Sequence, residues 1–131
     1  MRVIVHVDGG SRGNPGRAAA GAVVSAPDGT LLREASEAIG TATNNVAEYR
    51  GLLLGLELAR ELGATEVEVV NDSELIARQV DGSYRVKHAD MRPLRARAIA
   101  ALGQFEQWSI RSVPREQNAH ADALVNAALD R

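Results

Sequence analysis

The hydrophobic pattern first changes period at Gly40, and that change narrows the fold more than any other feature of the chain. Before it, everything reads as strand and turn. Arg2–Val7 (RVIVHV) is a β-branched run ending at Asp8. Gly9-Gly10-Ser11-Arg12-Gly13-Asn14-Pro15-Gly16 consists almost entirely of turn formers and predicts an exposed, tightly folded loop. Ala18–Ala26 and Leu31–Ile39 flank Pro27-Asp28-Gly29-Thr30, a hairpin turn, so the first three strands form an antiparallel meander. After Gly40, Val46–Leu62 carries apolar residues at helical spacing, with Asn44 or Asn45 available as N-cap and Gly63 as the stop. Glu66–Asn71 alternates like a strand, and Ser73 can cap a short helix through Val80. A loop over Asp81–Asp90 leads to a helix opened by Pro93, with Leu94, Ala98, Leu102 and Phe105 on one face. Trp108–Val113 is the last strand, and Asn118 can cap a terminal helix. Helices between the later strands require parallel pairing, so the expected class is α/β with a five-stranded mixed sheet, the meander followed by two parallel strands.

At 131 residues and 45% hydrophobic content, the chain fits a single domain over residues 1–131. No run of 18 apolar residues and no secretory leader pattern is visible, so neither membrane insertion nor export is expected, and the cytoplasm is the expected location. A monomer is the default. The absence of cysteine excludes disulfides, thiolate metal sites and a cysteine nucleophile, which leaves carboxylates, histidines and backbone as the reactive groups. The net charge of −2 argues against strong non-specific binding to nucleic acid. Four acids committed to metal would nevertheless leave fifteen bases against thirteen acids, so net charge excludes little.

Four acids fall at element ends. Asp8 closes the first strand, Asp72 follows the fourth, and Glu48 and Asp122 lie in the first turns of the long and the terminal helix. Singly, each has an ordinary explanation: aspartate is a common turn residue, and acids in a first helical turn complement the helix dipole. Collectively they point to chemistry, because ligands of open sheets gather outside the carboxyl ends of strands. Two carboxylates about 5 Å apart repel by about 3 kcal/mol at an effective dielectric near 20, so a cluster of four calls for cations. Oxygen-only ligands suit Mg²⁺ or Mn²⁺, and two such ions held about 4 Å apart form the usual apparatus for displacement at phosphorus.

Four segments, in order and at compatible spacing, carry a resemblance. They are Asp8-Gly9-Gly10-Ser11 with Gly13-Asn14-Pro15-Gly16, Thr43-Asn44-Asn45-Val46-Ala47-Glu48, Asp72-Ser73, and Asn118-Ala119-His120-Ala121-Asp122. They resemble the signature segments of the type 1 ribonucleases H across almost the whole chain. The resemblance implies a ribonuclease H-like fold with helices on both faces of the sheet. It also implies endonucleolytic hydrolysis of the RNA strand of an RNA–DNA hybrid by two-metal-ion catalysis, leaving 5′-phosphate and 3′-hydroxyl ends. By the same resemblance Asp8 bridges both ions, Glu48 and Asp72 complete the site of one, and Asp122 helps to hold the other. Gly9, Gly10, Ser11, Asn14, Asn44 and Glu48 would read ribose hydroxyls, the groups that distinguish RNA from DNA. Thr43 and Asn45 would hold a phosphate of the DNA strand. On residue type alone, Asn14 reads as a turn residue before Pro15, and Asn44 and Asn45 read as helix caps. The module also occurs fused to other domains in relatives.

Three departures from the family pattern matter. Many relatives carry a histidine in the loop before the last helix, where this chain reads Pro114-Arg115-Glu116-Gln117-Asn118. Arg115 is the candidate substitute, with a solvated loop arginine as the alternative; His120, two residues from Asp122 on a helix, points elsewhere. Gly82–Asp90 is too short for the lysine-rich protrusion by which some relatives grip the DNA strand. Arg85, Lys87, His88 and Arg92 make a modest basic patch that either contacts phosphates or is simply solvated, and weaker, salt-sensitive binding is expected. His6 alternates onto the face of Asp8 and reads as packing beneath the site. Two other functions compete: a module of this fold that binds hybrids without cutting, and the same chemistry directed at DNA.

Overall fold

The computed structural model describes residues 1–131. Five strands, β1 (Arg2–Gly13), β2 (Gly16–Ser25), β3 (Leu31–Ala42), β4 (Glu66–Asn71) and β5 (Gln107–Ser112), form one sheet in the order β3-β2-β1-β4-β5. The β1–β2 and β2–β3 pairs are antiparallel, and β1–β4 and β4–β5 are parallel, the expected mixed sheet. Four α-helices cover it: α1 (Asn44–Glu61), α2 (Glu74–Asp81), α3 (Arg92–Leu102) and α4 (Ala119–Leu129). Val3, Val5 and Val7 of β1 pack with Leu52 and Leu56 of α1, Ile76 and Val80 of α2, and Ala98 and Leu102 of α3 in the main core. On the opposite face, Val125, Ala128 and Leu129 of α4 close over Ala19 of β2. No helix is long and apolar enough to cross a membrane.

Several element boundaries differ from the sequence reading, each for a physical reason. β1 does not stop at Asp8. Its glycine-rich continuation pairs with β2 from Gly9↔Ala20 to Gly13↔Gly16, so the expected exposed loop is instead the outer half of a long hairpin. β3 passes Gly40 because that residue, at φ +75°, occupies a β-bulge opposite Ala18/Ala19 and lets the ladder resume to Ala42. α1 starts two residues earlier than its apolar pattern, capped by Thr43, whose hydroxyl accepts from the Val46 N–H (3.2 Å), and not by Asn44 or Asn45. Glu48 is consequently in the second turn of α1, outside the first. Phe105 lies beyond the end of α3 yet is buried. Asn118 sits at the N-cap position of α4 without capping it, after an unanticipated 3₁₀ turn over Arg115–Asn118.

Two glycines bring β1 and α1 into backbone contact. A Cβ on Gly9 would overlap the Ala47 carbonyl, and one on Gly51 would overlap the Asp8 carbonyl. Neither neighbour is a movable side-chain end. Gly51→Ala is therefore expected to destabilise the protein by about 3 kcal/mol, near the upper end for overpacking, measured by urea unfolding. Gly29→Ala, in the β2–β3 turn with nothing within 4 Å of its Cβ but φ +94°, should incur only the smaller cost of backbone strain.

Candidate active site

The parallel ladder between β1 and β4 ends at His6↔Val70, and the strands part there. Asp8 lies two residues beyond that last pair on β1, and Asp72 follows the end of β4. The Gly51 contact presses α1 against Asp8 and so delivers Glu48 to the same crevice. One carboxylate oxygen from each of Asp8, Glu48 and Asp72 lies within 4.8 Å of the other two. Between them is a cavity of about 10 Å³ floored by Val7, Leu52 and Ile76, space for a single water-sized body. Glu48 Oε2 is buried with no hydrogen-bond partner in the chain, whereas Oε1 accepts from Asn44 Nδ2 (3.3 Å).

The acids respond to this crowding as like charges must. Burial, then the charge of Asp72, pushes the Asp8 carboxyl up to about 8; Glu48 is raised to about 7, chiefly by burial, with the nearby Ser73 and Asn44 side chains pulling the other way. Asp72 is also raised, by burial first. A buried acceptor oxygen without a donor, in an all-oxygen set whose ionised form is disfavoured, suits a hard divalent cation.

Asp122 is not part of the three-acid cluster. It stands at the edge on α4, close enough for its charge to be felt at Asp8 and Asp72, and its Oδ1 accepts from Arg115 Nη2 at 3.0 Å. Arg115, largely exposed, is thus ion-paired with Asp122 at the rim of the acid cluster. His120 does point elsewhere, to Glu34 Oε2 at 2.6 Å. His6 is half-buried and lines a cavity with Asn118 and His120, and burial, then Arg111, lowers its pKa below the usual histidine value.

The remaining expected residues divide. Gly9 is buried against Ala47, not exposed, while Gly10 and Ser11 are half-buried in the hairpin. Asn14, at the hairpin tip, accepts the Asn44 N–H at 3.0 Å, tying the tip to the start of α1. Because Thr43 and Asn14 serve the first amides of α1, the Asn44 side chain is free to hold Glu48. Thr43 accepts in its cap, which leaves its O–H able to donate. Asn45 shares a cavity of about 460 Å³ with Leu75, Tyr84, Arg85, Lys87 and His88, so the basic patch adjoins the start of α1.

Two asparagines have roles that the sequence reading, with Asn118 as a helix cap and Asn71 as the end of a strand, did not give them. Asn118, 1% exposed, donates from Nδ2 to the Val7 carbonyl (2.9 Å) and fixes the start of α4 beside Asp8. Asn71, 5% exposed, donates to the Arg111 carbonyl and accepts from the Ser73 N–H, holding the turn that presents Asp72. Their position immediately before a candidate acid or a helix start was the only signal.

Residues 6–128 match the family model described as reverse transcriptase-like. A bifunctional protein of Mycobacterium tuberculosis is 51% identical over an alignment of 131 positions that covers 99% of this chain and 36% of that protein. The chain therefore spans about a third of that relative's length. The crystal structure of RNase H1 from the halophilic archaeon Halobacterium salinarum superposes with a TM-score of 0.97 at 45% identity, covering 99% of this chain and 98% of that one. The crystal structure of LC11-RNase H1 in complex with RNA/DNA hybrid superposes with a TM-score of 0.93 at 42% identity, covering 98% and 96%.

The raised acids set a sign for stability in the absence of metal. Between the ordinary carboxylate range and about 8, the folded state holds protons that the unfolded chain has released, so these groups make stability fall as pH rises through that window. In EDTA, Asp8→Asn should be more stable than the parent at pH 8, with the difference shrinking toward pH 4. Urea unfolding across pH checks this, and an advantage that grew toward low pH would contradict it.

Proposed function

Because the chain belongs to the reverse transcriptase-like, ribonuclease H family, we propose that it is an endonuclease that hydrolyses the RNA strand of RNA–DNA hybrids. The convergence of Asp8, Glu48 and Asp72 within 4.8 Å, with Glu48 Oε2 buried and unpartnered, carries this reading. The crystal structure of a 42% identical relative in complex with RNA/DNA hybrid supports the substrate class.

In this reading Asp8, Glu48 and Asp72 would hold a divalent cation, and Asp122 would help to hold a second. Mg²⁺ or Mn²⁺ bound there supplies Lewis acidity at the scissile phosphate and activation of the attacking water. The chain's own residues place the substrate. Asn44, on the same face of α1 as Glu48 and bonded to it, presents an amide beside the reacting phosphate, where a ribose 2′-hydroxyl can both donate and accept. Gly10 and Ser11 leave backbone with little side-chain bulk along the approach. At the start of α1, the Thr43 O–H and Asn45 meet a phosphate of the DNA strand, aided by the helix N-terminus. Lys87 and its neighbours Arg85 and His88 extend the positive surface from Asn45. With water attacking phosphorus and the 3′ oxygen departing, the products carry 5′-phosphate and 3′-hydroxyl ends. No protein nucleophile is needed. Operation in the cytoplasm as a monomer is part of the same proposal.

The decisive experiment incubates the protein with Mg²⁺ or Mn²⁺ and a hybrid labelled on either strand, beside duplex DNA and duplex RNA. The expected result is cutting of the RNA strand alone, abolished by Asp8→Asn. Retention of the hybrid without cutting in both metals, or cutting of DNA, would overturn the proposal. A second variant separates recognition from folding. Asn44→Ala should lower hybrid cleavage about five- to tenfold, the value of about 1 to 1.4 kcal/mol for a lost hydrogen bond to a neutral hydroxyl. Its unfolding free energy should change by less than about 1 kcal/mol because Thr43 and Asn14 keep the helix capped. Equal losses in both would assign Asn44 a structural role.

A further inference from the structure

The ion pair at the edge of the carboxylate cluster divides the site into two unequal halves. Asp8, Glu48 and Asp72 meet in a crevice with a vacant acceptor oxygen, whereas Asp122 already has partners on both oxygens. Oδ1 takes Arg115 Nη2 at 3.0 Å and Oδ2 takes Asn126 Nδ2 at 3.4 Å. The Arg115 side chain is 72% exposed and that of Asp122 is 26% exposed. We propose that Arg115 is an internal cation that competes with a divalent ion for Asp122, so that the outer half of the site is occupied by the chain until metal displaces it. The inference rests on the metal-dependent nuclease reading and goes beyond it in giving the loop arginine a role before any substrate is bound.

Three further observations support it. The guanidinium is held in its charged form first by Asp122 and then by Asp8 and Asp72, so its charge falls on the acids that the second ion would share. The charge of Arg115 is also felt at Asp72, where it opposes the upward push of burial. The 3₁₀ turn is held on both sides, by Asn118 on the Val7 carbonyl and by the Val113 N–H on the Asn71 carbonyl, and the exposed Arg115 side chain extends from it with Asp122 as its ion-pair partner. The arginine can therefore swing away while Asp122, on α4, stays in place. An exposed ion pair is weak enough for a divalent cation to break. Without the arginine, Asp122 would add its repulsion to a cluster already disfavoured in its ionised form.

The test titrates Mn²⁺ alone into the full chain, followed by calorimetry and electron paramagnetic resonance, in the parent, Arg115→Gln, Asp122→Asn and the double variant. Arg115→Gln should bind Mn²⁺ about two to five times more tightly than the parent, the range expected for loss of an exposed ion pair. It should make no difference in the Asp122→Asn background, and Arg115→Lys should return affinity toward the parent value. The Arg115 Nε–H resonance should shift as Mg²⁺ is added and stay unmoved in Asp122→Asn. Equal or weaker Mn²⁺ binding by Arg115→Gln, or the same tightening with Asp122 neutralised, would overturn the inference alone. Failure of the parent and every variant to bind Mn²⁺ would instead overturn the metal-dependent reading, and the inference with it.

Discussion

The site depends on a backbone contact between a strand and a helix. β1 and α1 touch main chain to main chain where Gly9 meets Ala47 and Gly51 meets Asp8. With side chains at these points the helix would have to stand off by the thickness of a methyl group, and Glu48 would leave the reach of Asp8. The same contact forces the glycine-rich stretch to be strand. Gly9 can lie flat against the helix only while its own polar groups are spent on the ladder to β2, since buried backbone groups need partners. Fold and site are thus set by one approach distance.

That approach imposes an electrostatic cost that the scaffold, not the acids, must withstand. Three carboxylates within 4.8 Å repel one another, and burial disfavours their ionised forms further. The restraining groups are neutral: the buried Asn118 on the Val7 carbonyl, the buried Asn71 between the Arg111 carbonyl and the Ser73 N–H, and the half-buried Asn44 on Glu48. Amides suit this role because they orient a neighbour without adding charge to the cluster or neutralising it. Arginine appears only at the solvent edge, where its pair with Asp122 can be exchanged.

How much of this was legible in the sequence follows from the range of each interaction. Periodicity, β-branched runs and caps located the four α-helices and five strands, though not the 3₁₀ turn, and the turn chemistry of Pro27-Asp28-Gly29-Thr30 identified the hairpin, since these are local signals. The extension of β1 to Gly13 was hidden because turn formers become strand only through pairing with Ala18–Ala20, a partner decided by tertiary structure. Thr43 was passed over as the cap because two asparagines, the better capping type, stand beside it; Asn14, thirty residues away, frees Asn44 for Glu48. The four acids could be named but not sorted. Their division into a buried three and an edge one depends on where α4 meets the sheet, and no spacing in the sequence encodes that.

The division has a physical logic in terms of which half must be rigid. Asp8, Glu48 and Asp72 hang from the sheet's centre and from the helix pressed against it, among the most buried elements of the molecule, where side chains have little freedom. Asp122 and Arg115 project from α4 and the 3₁₀ turn at the rim of the site, the Arg115 side chain largely in solvent. A reaction at phosphorus needs one half that fixes the phosphate and another whose coordination can change as charge moves from the attacking to the leaving oxygen. A rigid inner site and an exchangeable outer one meet both needs with one set of carboxylates. Placing the only arginine that pairs with these acids on the exchangeable side keeps its charge away from Glu48, whose vacant oxygen is what the inner half offers to a cation.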